Sequence, residues 1–464
     1  MLLFYAYPDF DIMEIMKAKW FIGLFLFSAL TVNGTTFTVQ DALASDEPPQ
    51  TNFTLDTFTR QYLRKSPKVA AQKNTLLNAR ATYQNAFTEA FLPSFSVSAT
   101  ADKTYTRPDN IHSWSELRHF DSNANASGSW NLLNSGKDRL AYQNASLSYE
   151  IAQIAFDAFV QETVLSAVRM YYDLLLNQKL VEVYQADLEI NRKQYEQDKV
   201  LYDNGLKTRS DLLSSETNYR SSQLSLFSAQ NDYANALTAF NIALNQPTET
   251  EITLDETLDK TVTPLPSLDT DLTNALAHRH DVRERRLQLK QDDIAFKQGK
   301  LNTLPSLFVD LFGSTGRGLN GHELWNYNYG VAAGVRFDLG FFYVDKYRTR
   351  QNLARTHENA QLDFEQFLRS MRDDVVQTRN ALALKMQSME ISDLRLQAAT
   401  QKFEATQTKY KNGLMSATDL TVAQQAMVSA QIEHARLLTD LEITKLRYRY
   451  AVGQDIFEYT LEDL

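Results

Sequence analysis

The chain has 464 residues, 43% apolar and 22% charged, with a net charge of −10 and a pI of about 5.3. That acidity argues against a nucleic-acid partner, because phosphate contact needs clustered Lys and Arg. With no cysteine, thiol catalysis, thiolate metal sites, disulfides and a bacterial lipoprotein anchor are excluded, so anchoring must come from the fold.

Lys17 and Lys19 precede a 13-residue apolar run, Trp20 to Val32, too short to span a bilayer. The pattern predicts an export signal within residues 1–44. It opens cleanly at Met16, so residues 1–15 read as an upstream start or an extended n-region. Small residues suit cleavage after Gly34 or Ala44. No later segment holds 18 consecutive apolar residues, and an inner-membrane helical protein is not expected.

The remainder reads as one plan used twice, a first repeat over 45–250 and a second over 251–464. A helix is expected over 54–90, then a strand pair at about 92–106 and 123–134, opened by Leu92-Pro93-Ser94. Ala124, Ala126, Gly128, Trp130 and Leu132 face one way in it, and Asn123, Asn125, Ser127, Ser129 and Asn131 the other. Residues 137–204 contain neither glycine nor proline, which predicts a helix of roughly 100 Å. It stops at Tyr202-Asp203-Asn204-Gly205-Leu206, where Asn-Gly supplies a left-handed residue. A second helix is expected over 206–246, with Asp211 six residues after Gly205 and Leu212 following. Its seam runs through Leu212, Tyr219, Leu226, Ala229, Tyr233, Ala236, Phe240 and Ala243, a 3.5-residue period that calls for supercoiled packing.

The second pass predicts a helix over 271–303 and a strand pair at about 304–314 and 327–342, opened by Leu304-Pro305-Ser306. Within it Tyr329, Val331, Ala333, Val335, Phe337 and Leu339 alternate with Asn328, Gly330, Ala332, Gly334, Arg336 and Asp338. A greasy face opposite a polar one, kept up this long, fits a strand between lipid and water. Polar loops over 107–122 and 314–327 carry Trp114, Trp325 and Tyr327, suited to a membrane interface. The long helix 345–412 ends at Tyr410-Lys411-Asn412-Gly413-Leu414, with Asp419 and Leu420 following. Helix 414–452 carries the seam Leu420, Ala423, Met427, Ala430, Leu437 and Leu441. Residues 202–246 and 410–454 are identical at 11 of 45 positions without a gap, the mark of a duplicated unit.

Four strands cannot close a barrel, and open sheet edges cannot sit in lipid, so several copies are required. Three copies give twelve strands, compatible with an aqueous lumen.

This doubled order resembles the TolC family of outer-membrane efflux proteins over about residues 52–454. The resemblance implies an α+β membrane protein: a homotrimer with a twelve-stranded outer-membrane β-barrel, four strands per chain, continued by a coiled-coil helical barrel in the periplasm. It implies an exit duct for a tripartite efflux or type I secretion system, not an enzyme. The implied partners are a periplasmic adaptor, an inner-membrane pump of the RND, ABC or MFS type, and outer-membrane lipid, with no cofactor. The segment 248–270, with Pro264 and Pro266, would join a girdle around the tunnel. Gly205, Leu206, Gly413 and Leu414 would form the adaptor-docking tip, where tight turns leave leucines exposed. In the family the mouth is held by links between an Asp after the first turn and a Tyr and Arg around the second. Asp211 and Tyr410 match, but Met415 stands at the arginine position. Of two aspartates that ring the mouth, Asp419 matches and Val422 replaces the other. Asp419 reads equally as a helix-start residue stabilised by the dipole.

Other chemistry is thin. His278 and His280, two apart on a helical segment, point to different faces and do not chelate. His112, His119 and His322 sit in expected external loops. Gly316-Arg317-Gly318 lacks the strand-to-helix context of a phosphate loop. An alternative of another class, a trimeric coiled-coil adhesive stalk, would explain the heptads but not the doubled strand pairs.

Overall fold

The computed structural model describes residues 51–105, 118–254, 264–301, 304–318, 326–336, 344–412 and 414–459. The export signal, Trp114, Trp325, His112, His322 and Gly413 lie outside them.

The first repeat runs β1 (Asn52–Phe53), α1 (Leu55–Lys65), α2 (Pro67–Phe91), β2 (Ser94–Tyr105), β3 (Arg118–Leu133), α3 (Lys137–Asp203) and α4 (Arg209–Ala243). The second runs β4 (Thr253–Leu254), α5 (Leu268–His278), α6 (His280–Leu301), β5 (Ser306–Gly318), β6 (Asn326–Arg336), α7 (Val344–Lys411) and α8 (Ala417–Ala451). The 67-residue α3 and 68-residue α7 are uninterrupted, because no residue in either breaks the i to i−4 ladder.

The expected single helices over 54–90 and 271–303 are each broken in two. At the first break Pro67 opens α2, and Ser66 before it is extended (φ −75°, ψ 115°), as a residue preceding proline prefers. The second break has no proline. Arg279 is extended there (φ −60°, ψ 129°), and its guanidinium bonds Asp281 at 2.9 Å, Asp374 at 2.7 Å and the Ala451 carbonyl at 3.2 Å. Tertiary ion pairing holds a kink that no local sequence signal announces. His278 and His280 therefore flank a kink and do not share a helix. His280 is buried, stacks on Tyr450 and lies 3.7 Å from Asp455.

Gly453, just past α8, is left-handed (φ 84°), and a Cβ there would meet the Arg279 backbone nitrogen at 2.8 Å. Both constraints require glycine. At the equivalent place after α4, Asn245 takes the same conformation (φ 51°).

The four long strands form one antiparallel sheet in the order β2-β3-β5-β6, so β3 and β5 join the two repeats and β2 and β6 are the edges. The strands extend farther than expected, β3 starting at Arg118 and β5 reaching Gly318. Far from this sheet in sequence, β1 and β4 pair in parallel, Phe53 beside Leu254. They close over the largest core, where Phe53, Phe58, Val160, Tyr171, Leu174, Phe240 and Leu244 are buried between α1, α3 and α4. The second repeat has smaller clusters, such as Ala275, Val282, Met371 and Val375.

Along α4 the buried residues Ser215 and Ser222 sit three positions after the expected Leu212 and Tyr219, as the expected Ala229, also buried, does after Leu226, so small side chains complete the heptad seam. In α8, Leu420, Ala423, Met427, Ala430 and Leu441 of the expected seam are buried.

Candidate functional site

Two regions stand out chemically: the sheet and the end where both long helices turn.

Register fixes which side chains share a sheet face. Phe95, Gly128, Leu311 and Val331 stand in one row, and Val97, Ala126, Gly313 and Tyr329 in the next. These side chains are largely exposed in the single chain, so the face is greasy and uncovered. The opposite face carries the rows Ser94, Ser129, Asp310 and Ala332, then Ser98, Asn125, Ser314 and Asn328. Ser129 donates to Asp310 at 2.7 Å, and the Ser96 and Ser127 hydroxyls meet at 2.8 Å. A wall apolar on one side and hydroxyl-rich on the other suits lipid outside and water inside. At the α2–β2 junction the Trp130 indole N–H donates to the Phe91 carbonyl at 3.2 Å, beside exposed Phe87, Leu92 and Leu133. An indole with one end bonded and the rest apolar fits a bilayer interface.

At the turn end, Gly205 is left-handed (φ 71°) and the Leu206 N–H reaches back to the Leu201 carbonyl at 2.8 Å. The second turn closes the same way, Leu414 N–H to the Lys409 carbonyl at 2.9 Å. This six-to-one bond is the glycine-assisted stop the sequence predicts. Leu206 is 73% and Leu414 74% exposed.

Within the single chain Asp211 and Tyr410 have other partners than each other. Asp211 closes a capping box with Thr208, its carboxylate accepting from the Thr208 hydroxyl at 2.7 Å and backbone N–H at 3.2 Å. Asp419 does the same with Ser416, at 2.6 and 3.2 Å. Those hydrogen bonds hold both exposed carboxyls below their usual range, and the two aspartates begin their helices as reciprocal caps.

Tyr410 instead joins a cluster that the sequence reading missed. Its hydroxyl accepts from Gln194 Nε2 at 2.8 Å and Lys207 Nζ at 2.9 Å, and donates to Asp198 Oδ1 at 3.3 Å. Lys207 also pairs with Asp198 at 2.5 Å, and the Asp198 side chain is 2% exposed. Burial opposes the lysine's charge, but the bonds to Asp198 and Tyr410 outweigh it and raise the Lys207 ammonium above its ordinary range. The cluster clamps the first turn and α3 to the end of α7, beside a cavity of about 810 Å³ that Met415 also lines. Lys207 is the first-repeat counterpart of Met415, 208 residues earlier. The charge missing from the second turn thus stands in the first. Among the described residues no group of three or more His, Asp or Glu side chains is placed to hold a metal.

The family described as "Outer membrane efflux protein" matches residues 59–246 and 272–454, one segment per repeat. No curated protein matches the chain. Among solved structures it is similar to the outer membrane protein VceC of Vibrio cholerae (16% identity, 87% of this chain and 97% of that one, TM-score 0.70). It is also similar to the CmeC outer membrane channel of Campylobacter jejuni (16%, 91% and 93%, 0.67). A third is the open state of the MtrE outer membrane channel of Neisseria gonorrhoeae (17%, 87% and 89%, 0.69). At these identities the likeness concerns the fold, while the family match spans most of the chain and sets aside the adhesive stalk. The chain belongs to the outer membrane efflux protein family: it is a duplicated α+β channel protein of the outer membrane with a periplasmic helical portion, and not an enzyme.

Proposed function

We propose that three copies of this chain form the exit duct of a tripartite efflux or type I secretion system, passively conducting substrates from a periplasmic adaptor and an inner-membrane pump to the exterior. One observation carries this reading: a four-stranded sheet, greasy on one face and polar on the other, whose edge strands β2 and β6 have no outer partner among the described residues. Unpaired edges are untenable in hydrocarbon, and three copies edge to edge satisfy them with twelve strands. Helix surfaces support the same assembly. Leu213, Leu224 and Phe227 of α4, and Leu384, Ile391 and Leu394 of α7, are exposed apolar residues at heptad-compatible spacings, which a neighbouring copy would cover.

Gly205, Leu206, Gly413 and Leu414 are the proposed docking tip, because exposed leucines on tight turns offer apolar knobs to an adaptor's helices. Asp211, Tyr410 and Asp419 belong to the proposed mouth. Tyr410 acts there through Lys207 and Asp198, which tie the two hairpins of one copy. Asp419, repeated around a threefold axis, would favour cations over anions while also capping its helix. Val422 supplies no second ring.

The double variant Leu206→Ser with Leu414→Ser tests the docking. Efflux from cells is expected to be lost while trimers and membrane insertion persist. Unchanged efflux, or loss of the trimer itself, would contradict a docking role.

A further inference from the structure

Two phenylalanines interrupt the polar face of the sheet. Phe308 and Phe312 flank Asp310 on β5, all three on the side of Ser127, Ser129 and Asn131. Their rings lie over glycines of β6: a Cβ on Gly334 would meet Phe308 at 2.8 Å, and one on Gly330 would meet Phe312 at 2.6 Å. Covering a glycine is a structural use of an aromatic ring, but a leucine would also fill that space. Phe312 is 43% exposed in rows otherwise made of Ser, Asn, Asp, Ala and Gly.

The two rings differ in what covers them. The planar guanidinium of Arg336 lies over the Phe308 ring, 4.6 Å from its centroid. Among the described residues no cation covers Phe312. Asp310, two residues away on the same face, receives a hydrogen bond from Ser129, and no cation pairs with it among the described residues. The β5–β6 wall therefore contains one aromatic face already holding a planar cation, and a second that pairs an open ring with a carboxylate but lacks the cation.

We propose that Phe312 and Asp310 form a wall subsite for planar aromatic cations, one per copy, in the aqueous lumen. This rests on the duct reading, which makes the polar face the lumen. A flat cationic molecule would stack on Phe312 and place its charge near Asp310, as Arg336 does on Phe308. Such a subsite would retard amphiphilic aromatic cations along the barrel wall without selecting small ions by size.

Refolded full-length protein in planar bilayers, with graded ethidium and tetraethylammonium as a ring-free control, tests this. Ethidium should produce transient reductions of current that tetraethylammonium does not. Phe312→Leu keeps the glycine covered but removes the ring, and should weaken the apparent ethidium affinity roughly threefold to tenfold. Asp310→Asn should weaken it comparably, and Phe312→Tyr should restore the wild-type value. Trimer mass and ethidium-free conductance report whether each variant is folded. If conducting wild-type channels ignore ethidium, or folded Phe312→Leu responds as wild type does, the subsite is refuted. A wild type that conducts nothing refutes the duct reading, and the subsite with it.

Discussion

In the first repeat Phe58, Tyr171 and Phe240 meet where α1, α3 and α4 come together. Phe58 stacks on Phe240 with centroids 4.1 Å apart and lies 6.0 Å from Tyr171. In the second repeat the corresponding positions hold Asp271, Arg379 and Tyr448. Phe58 and Asp271 are each four residues past the cap of their helix, Thr54 and Ser267, and the other two pairs are 208 residues apart. Asp271 is 1% exposed and pairs with Arg379 at 2.5 Å. Burial first, and then Asp271, push the Tyr448 phenol up to about 12. One joint is thus dry and aromatic, its equivalent ionic. Stacked rings gain from burial whatever their fine geometry, whereas a buried ion pair offsets its desolvation only while both partners stay in place. The duplicated architecture constrains the backbone of this joint and leaves its chemistry free.

Arg379→Met should have the largest effect, because it leaves Asp271 buried and unpaired. The expected loss is ~3–5 kcal/mol, read from thermal unfolding of the full-length protein in detergent. Phe240→Ala, which opens a cavity in the aromatic joint, should cost a similar ~3–5 kcal/mol. The triple exchange Asp271→Phe, Arg379→Tyr and Tyr448→Phe rebuilds the first joint in the second repeat. It should be neutral, or stabilising by ~1–4 kcal/mol. An exchange as damaging as Arg379→Met alone would show that the two joints are not equivalent.

The turns offer the same contrast on a smaller scale. Lys207→Met gives the first turn the residue of the second and strips Asp198 of its charged partner. It should cost roughly 1.5–3 kcal/mol and raise conductance by loosening the first turn from Tyr410, which keeps Gln194 and Asp198, while Met415→Lys should change little. The lysine's pKa is higher folded than unfolded, so its contribution is complete below the ordinary lysine range and disappears as pH rises through the raised value. Thr208→Ala and Ser416→Ala should have the smallest effects, about 1 kcal/mol each. The capping carboxyls titrate below their ordinary range in the folded chain. Their contribution is present above that range and lost as pH falls through the lowered values, so thermal scans in acid should bring each Ala variant closer to wild type.

Long-range periodicity made most of the architecture legible. Glycine-free runs defined α3 and α7, Asn-Gly located the turns, and alternation over 328–339, of which 337–339 lie outside the described residues, marked a strand with two different faces. The break at Arg279 was hidden because two of the three groups that hold its guanidinium, Asp374 on α7 and the Ala451 carbonyl, are 95 and 172 residues away in sequence. Ser215 and Ser222 were missed as seam residues because a buried serine carries no apolar signal. The tip shows a further limit. Asp211 and Tyr410 were paired on the family's pattern, but a Thr three residues before an Asp at a helix start is itself a capping signal. Lys207 could have been found by asking which residue of the first turn stands opposite Met415.

The central claim, that three copies close one conducting barrel, is tested most directly by measuring the mass of the detergent-solubilised full-length protein and, on the same sample, its conductance in a planar bilayer. The account predicts the mass of three chains and a steady aqueous conductance. A stable monomer, or a trimer that inserts and passes no current, would contradict it.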